Sequence, residues 1–227
     1  LILAEKHGAW SDIARKIAHE IKNPLTPIKL SAERIEKKSK DETINYDDIK
    51  NLTQTISKQV DDIGKLVDEF SSFARMPEPE IKLENLSNTL KESFDLFANA
   101  HLNINMKLIL NDKDIFFQFD KFQISQVFNN VIKNAIEAVK NIPNPWIKVS
   151  LSEKDKLIIF NVSDNGVGVD EKKISKLFEP YYTTKDKGTG LGLSIVKKIV
   201  EDHGGKIKIE KNKNMTGTTN LITFEVQ

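Results

Sequence analysis

The sequence has no cysteine among its 227 residues and almost no net charge. The absence of cysteine excludes disulfides, thiolate metal sites and cysteine nucleophiles, and it is typical of a reducing compartment. The 34 Lys and Arg residues nearly cancel the 33 Asp and Glu residues, leaving +1, so the basic excess of a nucleic-acid-binding protein is missing. No apolar run approaches the roughly 18 residues that a membrane-spanning helix needs. We therefore expect one large or two modest domains that do not bind nucleic acid.

The chain changes character at a short proline-containing segment, MPEPE over residues 76–80. Glycine is scarce and the apolar spacing is helical before it, whereas strand-like runs and glycine clusters follow it. Prolines with acidic neighbours are typical of a short, stiff linker. The sequence predicts a helical domain over 1–76, a linker over 77–84 and a second domain over 85–227. Its first residues have neither a signal peptide nor a helix cap, which predicts a piece of a longer protein.

Two long helices are predicted in the first domain, because apolar residues recur there every three or four positions. One stripe runs from Ile13 to Ile35 and the other from Ile49 to Phe73, with a polar break around residues 38–41. A lone hairpin of two helices this long cannot bury both stripes. Two hairpins can bury them in a four-helix bundle, so the sequence predicts a homodimer.

The second domain alternates between strand and helix patterns, which predicts a two-layer α/β sandwich. Asp120 is expected to cap one helix, and residues 115–119 are expected to form a hairpin with residues 104–110. The stretch from Gly166 to Gly190 has little periodicity and is expected to be a functional lid. Helices are predicted over 87–100, 121–140 and 191–203, and strands over 104–110, 115–119, 147–151, 157–160, 206–210 and 221–226.

The first chemical motif, HEIKNP, begins at His19 in the first helix. His19 is rotated by about 200° from a residue of the apolar stripe and is expected to face solvent. Glu20 is adjacent, Asn23 lies one turn further on the same face, and Pro24 and Pro27 each remove a helical hydrogen bond. A neutral imidazole is a nucleophile near pH 7, and a neighbouring carboxylate can orient it or take its second proton. A lone exposed histidine would be an ordinary surface residue, but this combination predicts a reactive site.

The second motif places Asn130 and Asn134 one turn apart on a helix, so that their amides share a face. Amide oxygens suit Mg²⁺, which takes few protein ligands together with waters and substrate phosphates. Lys133 would add positive charge near those phosphates. Two solvated asparagines are the alternative interpretation, and the sequence predicts Asn134 and Asn130 as ligands of Mg²⁺.

The third motif, DNGVG over residues 164–168, directly follows an apolar strand. The carboxylate of Asp164 can accept a hydrogen bond from an exocyclic amine there, while Gly166 and Gly168 let a flat base approach closely. A plain turn of Asp, Asn and Gly is the alternative interpretation. The motif is consistent with recognition of a nucleotide base.

The fourth motif, KGTGLGL over residues 187–193, opens a helix. Backbone N–H groups at a helix N-terminus attract phosphate, and the helix dipole adds to that attraction. The spacing fits neither a Walker A motif nor a Rossmann fingerprint. Alone it would be a weak signal for phosphate binding.

Taken in order, these motifs resemble the cytoplasmic core of sensor histidine kinases. FEPYYTTK over residues 178–185 adds a fifth element, and the resemblance spans nearly the whole chain. Residues 19–34 and 60–77 are similar, more narrowly, to nitrogen-regulation kinases of the NtrY type. The resemblance implies a dimerisation and histidine-phosphotransfer hairpin, followed by an ATP-binding domain with the Bergerat fold of gyrase, Hsp90, histidine kinases and MutL.

The resemblance also implies a role for each matching residue. His19 matches the phosphorylated histidine, Glu20 its acidic neighbour, and Asn23 a position that orients water for dephosphorylation of the partner. Asp164 matches the carboxylate that reads adenine, and Asn134 matches the Mg²⁺ ligand. The other nucleotide-binding residues implied are Asn130, Lys133, Gly166, Gly168, Tyr182, Lys185, Gly188, Thr189, Gly190, Leu191, Gly192 and Thr218.

ATP and Mg²⁺ are the implied cofactors, and a response-regulator receiver domain of the NtrX kind is the implied partner. The implied reaction is phosphorylation of His19 followed by transfer to an aspartate of the regulator, with phosphatase activity toward it. The implied location is the cytosolic side of a membrane-bound sensor, with membrane contact only through upstream segments. Two other classes of function are the alternatives. A nucleotide-gated scaffold without kinase activity would lack one of the motif residues, and a plain ATPase or conformational clamp would leave the exposed His19 motif unexplained.

Overall fold

The computed structural model describes residues 2–41, 43–74, 77–185, 189–212 and 216–226. Within the first two helices, the side chains of residues 2–14, 16, 17, 19, 65, 69 and 72–74 are outside this description. The chain divides into two compact units, Leu1–Met76 and Pro77–Gln227. Each unit is considered by itself below.

The first unit consists of helices α1 (Ile2–Lys40) and α2 (Tyr46–Ala74), which pack against each other. The start of α2 is capped reciprocally, because Asn45 Oδ1 accepts a hydrogen bond from the Asp48 N–H at 2.8 Å and Asp48 Oδ2 accepts one from the Asn45 N–H at 3.5 Å. Lys38 Nζ lies 2.7 Å from the same carboxylate. Its hydrogen bond lowers the pKa of Asp48 and joins the end of α1 to the start of α2. The predicted helical hairpin is confirmed.

The apolar stripes of the hairpin are only partly covered in the single chain. Leu66, at 7% exposure, is the only buried hydrophobic residue among those whose burial is described in this unit. Leu25, Val60 and Val67, which belong to these stripes, remain 47%, 53% and 45% exposed. Packing of one helix against the other therefore leaves much of each stripe in contact with water.

The described residues of the second unit form three α-helices and two sheets. In chain order the elements are β1 (Lys82–Asn85), α3 (Leu86–Ala100), β2 (Asn105–Ile109), β3 (Phe116–Phe119), α4 (Lys121–Val139), β4 (Trp146–Lys154), β5 (Leu157–Asp164), 3-10 turns at Glu171–Lys173 and Ser175–Phe178, α5 (Gly192–Asp202), β6 (Lys206–Lys211) and β7 (Thr218–Glu225).

Five of these strands form one sheet in the order β2-β4-β5-β7-β6. In this sheet β2 is parallel to β4 and the other neighbours are antiparallel, while β1 and β3 form a separate antiparallel pair. The predicted two-layer α/β sandwich is confirmed.

Alternate residues of the central strands build the core. On β5 the buried positions are Ile158, Phe160, Val162 and Asp164, as the period-two geometry of a strand requires. The ring of Phe160 packs on that of Phe128 from α4, with their centroids 4.7 Å apart. The row that fills the core therefore ends, on the same face of the sheet, at the carboxylate of Asp164.

Two predictions about strands are wrong. Residues 115–119 do not form a hairpin with residues 104–110: β3 pairs with β1, in the register Asn85 to Phe116, and β2 pairs in parallel with β4. Residues 82–84, expected in the linker, belong to β1. The reason is that β1 reads KLEN, with a single large apolar residue, so its strand conformation depends on the tertiary pairing with β3.

The beginning of α4 shows the expected cap. Asp120 Oδ1 accepts a hydrogen bond from the Gln123 N–H at 3.0 Å, and Asp120 Oδ2 accepts one from the Glu80 N–H at 2.8 Å. Burial opposes ionisation of this carboxyl group, but the backbone N–H donors outweigh it and hold its pKa below the ordinary value. Asp120 therefore both starts α4 and ties the segment before β1 to it.

Candidate functional site

The HEIKNP motif lies inside α1, which continues through Pro24 and Pro27. Because a proline nitrogen carries no hydrogen, these two positions give no helical hydrogen bond to the carbonyls of Glu20 and Asn23, four residues earlier. Asn23 is exposed and Glu20 is half-buried, while the side chain of His19 lies outside the described part of the structure. The motif thus occupies a stretch of helix whose backbone is incompletely bonded.

The two predicted asparagines of α4 face the loop segments of the second unit. Asn130 Nδ2 donates to the Gln126 carbonyl at 3.0 Å, and a Cβ atom on Gly192 would come within 3.3 Å of Asn130 Oδ1. Asn134 Oδ1 accepts a hydrogen bond from Lys185 Nζ at 2.9 Å. The first turn of α5 and Lys185 of the predicted lid (the lid segment below) therefore both lie next to the face of α4 that carries Asn130 and Asn134.

Lys185 Nζ makes a second contact, an ion pair with the carboxylate of Glu137. Glu137 follows Asn134 by three residues, so the two side chains share one face of α4. Glu137 is not among the residues predicted from the sequence, although this spacing could have identified it. Lys133 lies exposed on the same helix.

Asp164 is a buried carboxylate, 1% exposed, at the end of β5. Its Oδ1 accepts hydrogen bonds from the Gly166 N–H at 2.8 Å and the Thr218 N–H at 3.2 Å. No other hydrogen bond to this carboxylate is made by the described residues, so Oδ2 keeps its acceptor capacity. Burial raises the pKa of Asp164 above the ordinary value, although the two backbone N–H groups act in the opposite direction.

The backbone around Asp164 is closely packed on both sides. A Cβ atom on Gly166 would lie 2.6 Å from the Ala138 carbonyl oxygen, and one on Gly217, whose φ is +117°, would lie 1.9 Å from the Asp164 carbonyl oxygen. Asn212 Nδ2 donates to that same oxygen at 2.8 Å, and the Asn212 N–H donates to the Gly217 carbonyl at 3.2 Å. Asn212, a polar residue at a strand end, belongs to none of the four motifs and was not predicted as a site residue. Together these contacts fix the position of Asp164 between α4 and the turn before β7.

The FEPYYTTK segment (residues 178–185) and the glycine-rich segment contact each other through their backbones at Tyr181 and Gly190. The Tyr181 N–H donates to the Gly190 carbonyl at 3.0 Å. Gly190 has a φ of +70°, and a Cβ atom there would lie 2.5 Å from the Tyr181 carbonyl carbon. Burial raises the pKa of Tyr181 to about 12. Only glycine fits this crossing without displacing the neighbouring chain.

The remaining predicted residues lie around this crossing. Leu191 is fully buried directly before α5, and its N–H donates to Thr189 Oγ1 at 3.4 Å. Gly168 has a φ of +75°, and Tyr182 is half-buried beside Tyr181. Gly188 lies outside the described residues.

The described residues are also informative about metals and membranes. They contain no group of three or more His, Asp or Glu side chains that could hold a metal ion. In the part of the chain that the structure describes, none of the helices combines the length and apolarity needed to cross a bilayer.

Two family models match the chain. Residues 9–79 match the His Kinase A (phospho-acceptor) domain. Residues 119–227 match the histidine kinase-, DNA gyrase B-, and HSP90-like ATPase. The first match contains the HEIKNP motif, and the second contains both asparagines of α4, Asp164 and the glycine-rich segment.

Individual proteins agree with these models. The nitrogen regulation protein NtrY of Azorhizobium caulinodans is 39% identical over 237 residues, covering 100% of this chain and 30% of NtrY. The catalytic domain of histidine kinase ThkA is 34% identical with a TM-score of 0.58, covering 64% of this chain and 95% of that domain. ThkA in complex with response regulator protein TrrA is 26% identical with a TM-score of 0.80, covering 99% of this chain and 64% of that one.

The chain spans 30–38% of the length of the first NtrY and NtrY-like relatives. The similarity to them nevertheless extends over its whole length, and it confirms the resemblance to NtrY-type kinases. Both family models lie in the order that the motifs predicted. The chain belongs to the sensor histidine kinase family.

Proposed function

We propose that this chain is an ATP-dependent protein histidine kinase that phosphorylates His19 and passes the phosphoryl group to an aspartate of a response regulator. The observation that carries the proposal is the arrangement around Asp164. A buried carboxylate has one oxygen fixed by two backbone N–H groups and the other oxygen available as an acceptor. This is the arrangement needed to recognise the exocyclic amine of adenine.

Base recognition follows from the chemistry of Asp164 Oδ2. An adenine base presents an N–H donor at its six-position, whereas a guanine or hypoxanthine base presents a carbonyl oxygen there. The carboxylate would bond the first and repel the second. Gly168 adds no side chain next to it, whereas the space beside Gly166 is already taken by the Ala138 carbonyl oxygen of α4, 2.6 Å from where a Cβ atom would lie.

The residues of α4 fit a divalent cation. The ammonium group of Lys185 already lies 2.9 Å from Asn134 Oδ1, so this oxygen accepts a cation in the described structure. Mg²⁺ takes few protein oxygens in addition to phosphates and water, and Asn134 and Asn130 would hold it on α4. Bound there, it would offset negative charge on the phosphate oxygens of ATP.

The chemical step belongs to the imidazole of His19. A ring nitrogen forms a bond to the γ-phosphorus as the bond from that phosphorus to the bridging oxygen breaks, and ADP leaves. Glu20 orients the ring or takes the proton of its other nitrogen, which leaves the imidazole ring uncharged in the anionic phosphoramidate. Lys133 and Lys185 contribute positive charge toward the phosphates. The phosphoryl group then passes from nitrogen to the carboxylate oxygen of the regulator.

Labelling with γ-labelled ATP tests the kinase proposal. The wild-type chain should acquire a label that is labile in acid and stable in base. His19→Gln should abolish the label while ATP binding is retained, and His7→Gln, in the same helix, serves as the matched control. A label that persists in His19→Gln would contradict the assignment of the nucleophile.

We further propose that two copies of the hairpin form a four-helix bundle. Leu25, Val60 and Val67 remain about half exposed in the single chain, although they belong to regular apolar stripes. A second hairpin would cover them and bury the stripes of both chains. The homodimer would bring two His19 residues into one bundle.

The proposed partner is a receiver domain of the NtrX kind. The similarity to NtrY supports this choice, and the solved complex of ThkA with a response regulator shows that a related kinase binds such a protein. Incubation of the phosphorylated chain with purified NtrX-type receiver should move the label to the receiver. A receiver whose acceptor Asp is changed to Ala should remain unlabelled.

Phosphatase activity toward the regulator is proposed for Asn23. This residue is exposed and lies one turn from His19 on α1, where its amide can hold an attacking water. Asn23→Ala should leave labelling of His19 intact and slow the loss of phosphate from the phosphorylated regulator. An unchanged rate of dephosphorylation would exclude this role.

We place the chain on the cytosolic side of a membrane-bound sensor. The NtrY-like relative of Rickettsia felis is named a putative sensor histidine kinase, and both it and NtrY extend well beyond the matched region. Membrane contact would come from segments upstream of this chain. Fractionation of cells that express the whole protein should recover it with the membranes, and recovery in the soluble fraction would contradict this placement.

A further inference from the structure

Lys185 occupies a cation position on α4 that has two oxygen ligands. Its Nζ donates to Asn134 Oδ1 at 2.9 Å and to the carboxylate of Glu137. Lys185 comes from the lid segment, whereas both oxygens come from one face of α4. The side chains of Lys185 and Glu137 are 42% and 41% exposed, so ions from solvent reach this position.

A divalent cation and this ammonium group cannot both use Asn134 Oδ1. Mg²⁺ binds oxygen at about 2.0–2.1 Å, and the ammonium group lies 2.9 Å from the same oxygen. The two positive charges would therefore lie within about 5 Å of each other and would repel. Binding of the metal through Asn134 requires that Lys185 leave this oxygen.

When Lys185 leaves, Glu137 loses its ion pair with this residue. Its carboxylate would then face the proposed phosphate site without this ion pair, which is unfavourable next to a triphosphate. A divalent cation removes this repulsion, because one carboxylate and one amide oxygen form a ligand pair that suits Mg²⁺. An ammonium group, which has only donors, satisfies the same two oxygens when the metal is absent.

We propose that Glu137 is part of the cation site of this kinase, and that Lys185 and the divalent cation compete for Glu137 and Asn134. This inference rests on the proposed function, because it assumes that the nucleotide's phosphates lie beside α4. Exposed ion pairs contribute little to stability, so Lys185 is displaced easily. Once released, it is free to pair with the phosphates, which couples entry of the metal to departure of Lys185 from α4.

Binding of Mn²⁺ to the full chain tests this proposal without an activity measurement. Free Mn²⁺ is followed by electron paramagnetic resonance with a non-hydrolysable ATP analogue present. Glu137→Gln should raise the Mn²⁺ concentration for half-occupancy by about tenfold. Lys185→Met should lower it in the absence of nucleotide, by about threefold, because a competing cation has been removed.

Glu153→Gln and Lys154→Met serve as matched controls. Both residues are exposed and lie at the opposite end of the β4–β5 ladder from Asp164. They should bind Mn²⁺ as the wild type does. Circular dichroism of each variant checks that it has folded.

The outcomes separate the two proposals. If the folded wild type binds no nucleotide with or without Mn²⁺, the proposed function fails. If nucleotide binds but Glu137→Gln leaves the Mn²⁺ midpoint unchanged, or Lys185→Met raises it, the cation-site inference alone is overturned. Equal weakening of metal-free nucleotide binding in Glu137→Gln would also overturn it, since Glu137 would then act on the nucleotide rather than on the metal.

Discussion

The two units of this chain solve the problem of burying apolar surface in different ways. The α/β unit forms a hydrophobic core within one chain, in which Phe128, Phe160 and Phe224 are at most 2% exposed. The hairpin leaves Leu30 and Val60 about half exposed. Stability of the first depends on its own packing, whereas stability of the second depends on association.

The geometry of the elements explains this difference. A sheet has a whole face to cover, and α4 and α5 each lay an apolar face on it or on each other. Two helices that pack as a pair bury only the line along which they touch, and each stripe is wider than that line. Binding of the nucleotide and association of chains are thus assigned to separate units.

The largest effect is expected for Val60→Glu in the hairpin. In the proposed bundle each chain would bury one charge, at a cost of several kcal/mol per ion, so the dimer should dissociate. Sedimentation equilibrium measures the change, with Lys58→Glu as the control because Lys58 is exposed on the same helix. A dimer that persists in Val60→Glu would show that the hairpin, unlike the α/β unit, does not rely on burial of this apolar position.

A smaller effect, confined to the other unit, is expected for Phe160→Ala. Removal of this fully buried ring should cost about 3–5 kcal/mol in the free energy of unfolding of the α/β unit. The melting transition of the hairpin should be unaffected and should still depend on protein concentration. Calorimetry at two concentrations separates the two transitions, and simultaneous loss of both would show that the units are energetically coupled.

The smallest effect on folding is expected for Asp164→Asn. Burial raises the pKa of Asp164, so its contribution to stability is fully present below the unfolded-state pKa of about 4 and is lost as the pH rises through the folded-state pKa. Asn resembles the protonated form. The variant should therefore melt above the wild type at pH 7, and the difference should shrink toward pH 4.

The same variant should bind ATP at least about tenfold more weakly, because an N–H donor now faces the exocyclic amine and a hydrogen bond to a charged group is lost. Isothermal titration calorimetry measures this affinity. A variant that melts lower and binds normally would reverse the expected relation between stability and function at this position.

Local pattern predicted those features that depend on a few neighbouring residues. The apolar run over residues 157–160 placed Asp164 just after a core strand, and Asp120 was identified as the cap of α4 from its position before a helical segment. The partner of β3 was not predictable, since β1 carries almost no apolar signal. The contact of Lys185 with Glu137 joins residues 48 positions apart, and no local spacing encodes such a meeting.

The contacts that Asn212, Gly217 and Thr218 make with Asp164 have a consequence for how this protein can be shortened. Asn212 donates a hydrogen bond to the Asp164 carbonyl oxygen, and the backbone of Gly217 packs against the same oxygen. The N–H of Thr218 is one of the two that donate to the Asp164 carboxylate. A fragment that stopped after α5 would retain every asparagine and glycine of the earlier motifs. It would still lose the adenine recognition proposed for Asp164, because residues after α5 supply a donor to the Asp164 carbonyl and an N–H group to its carboxylate.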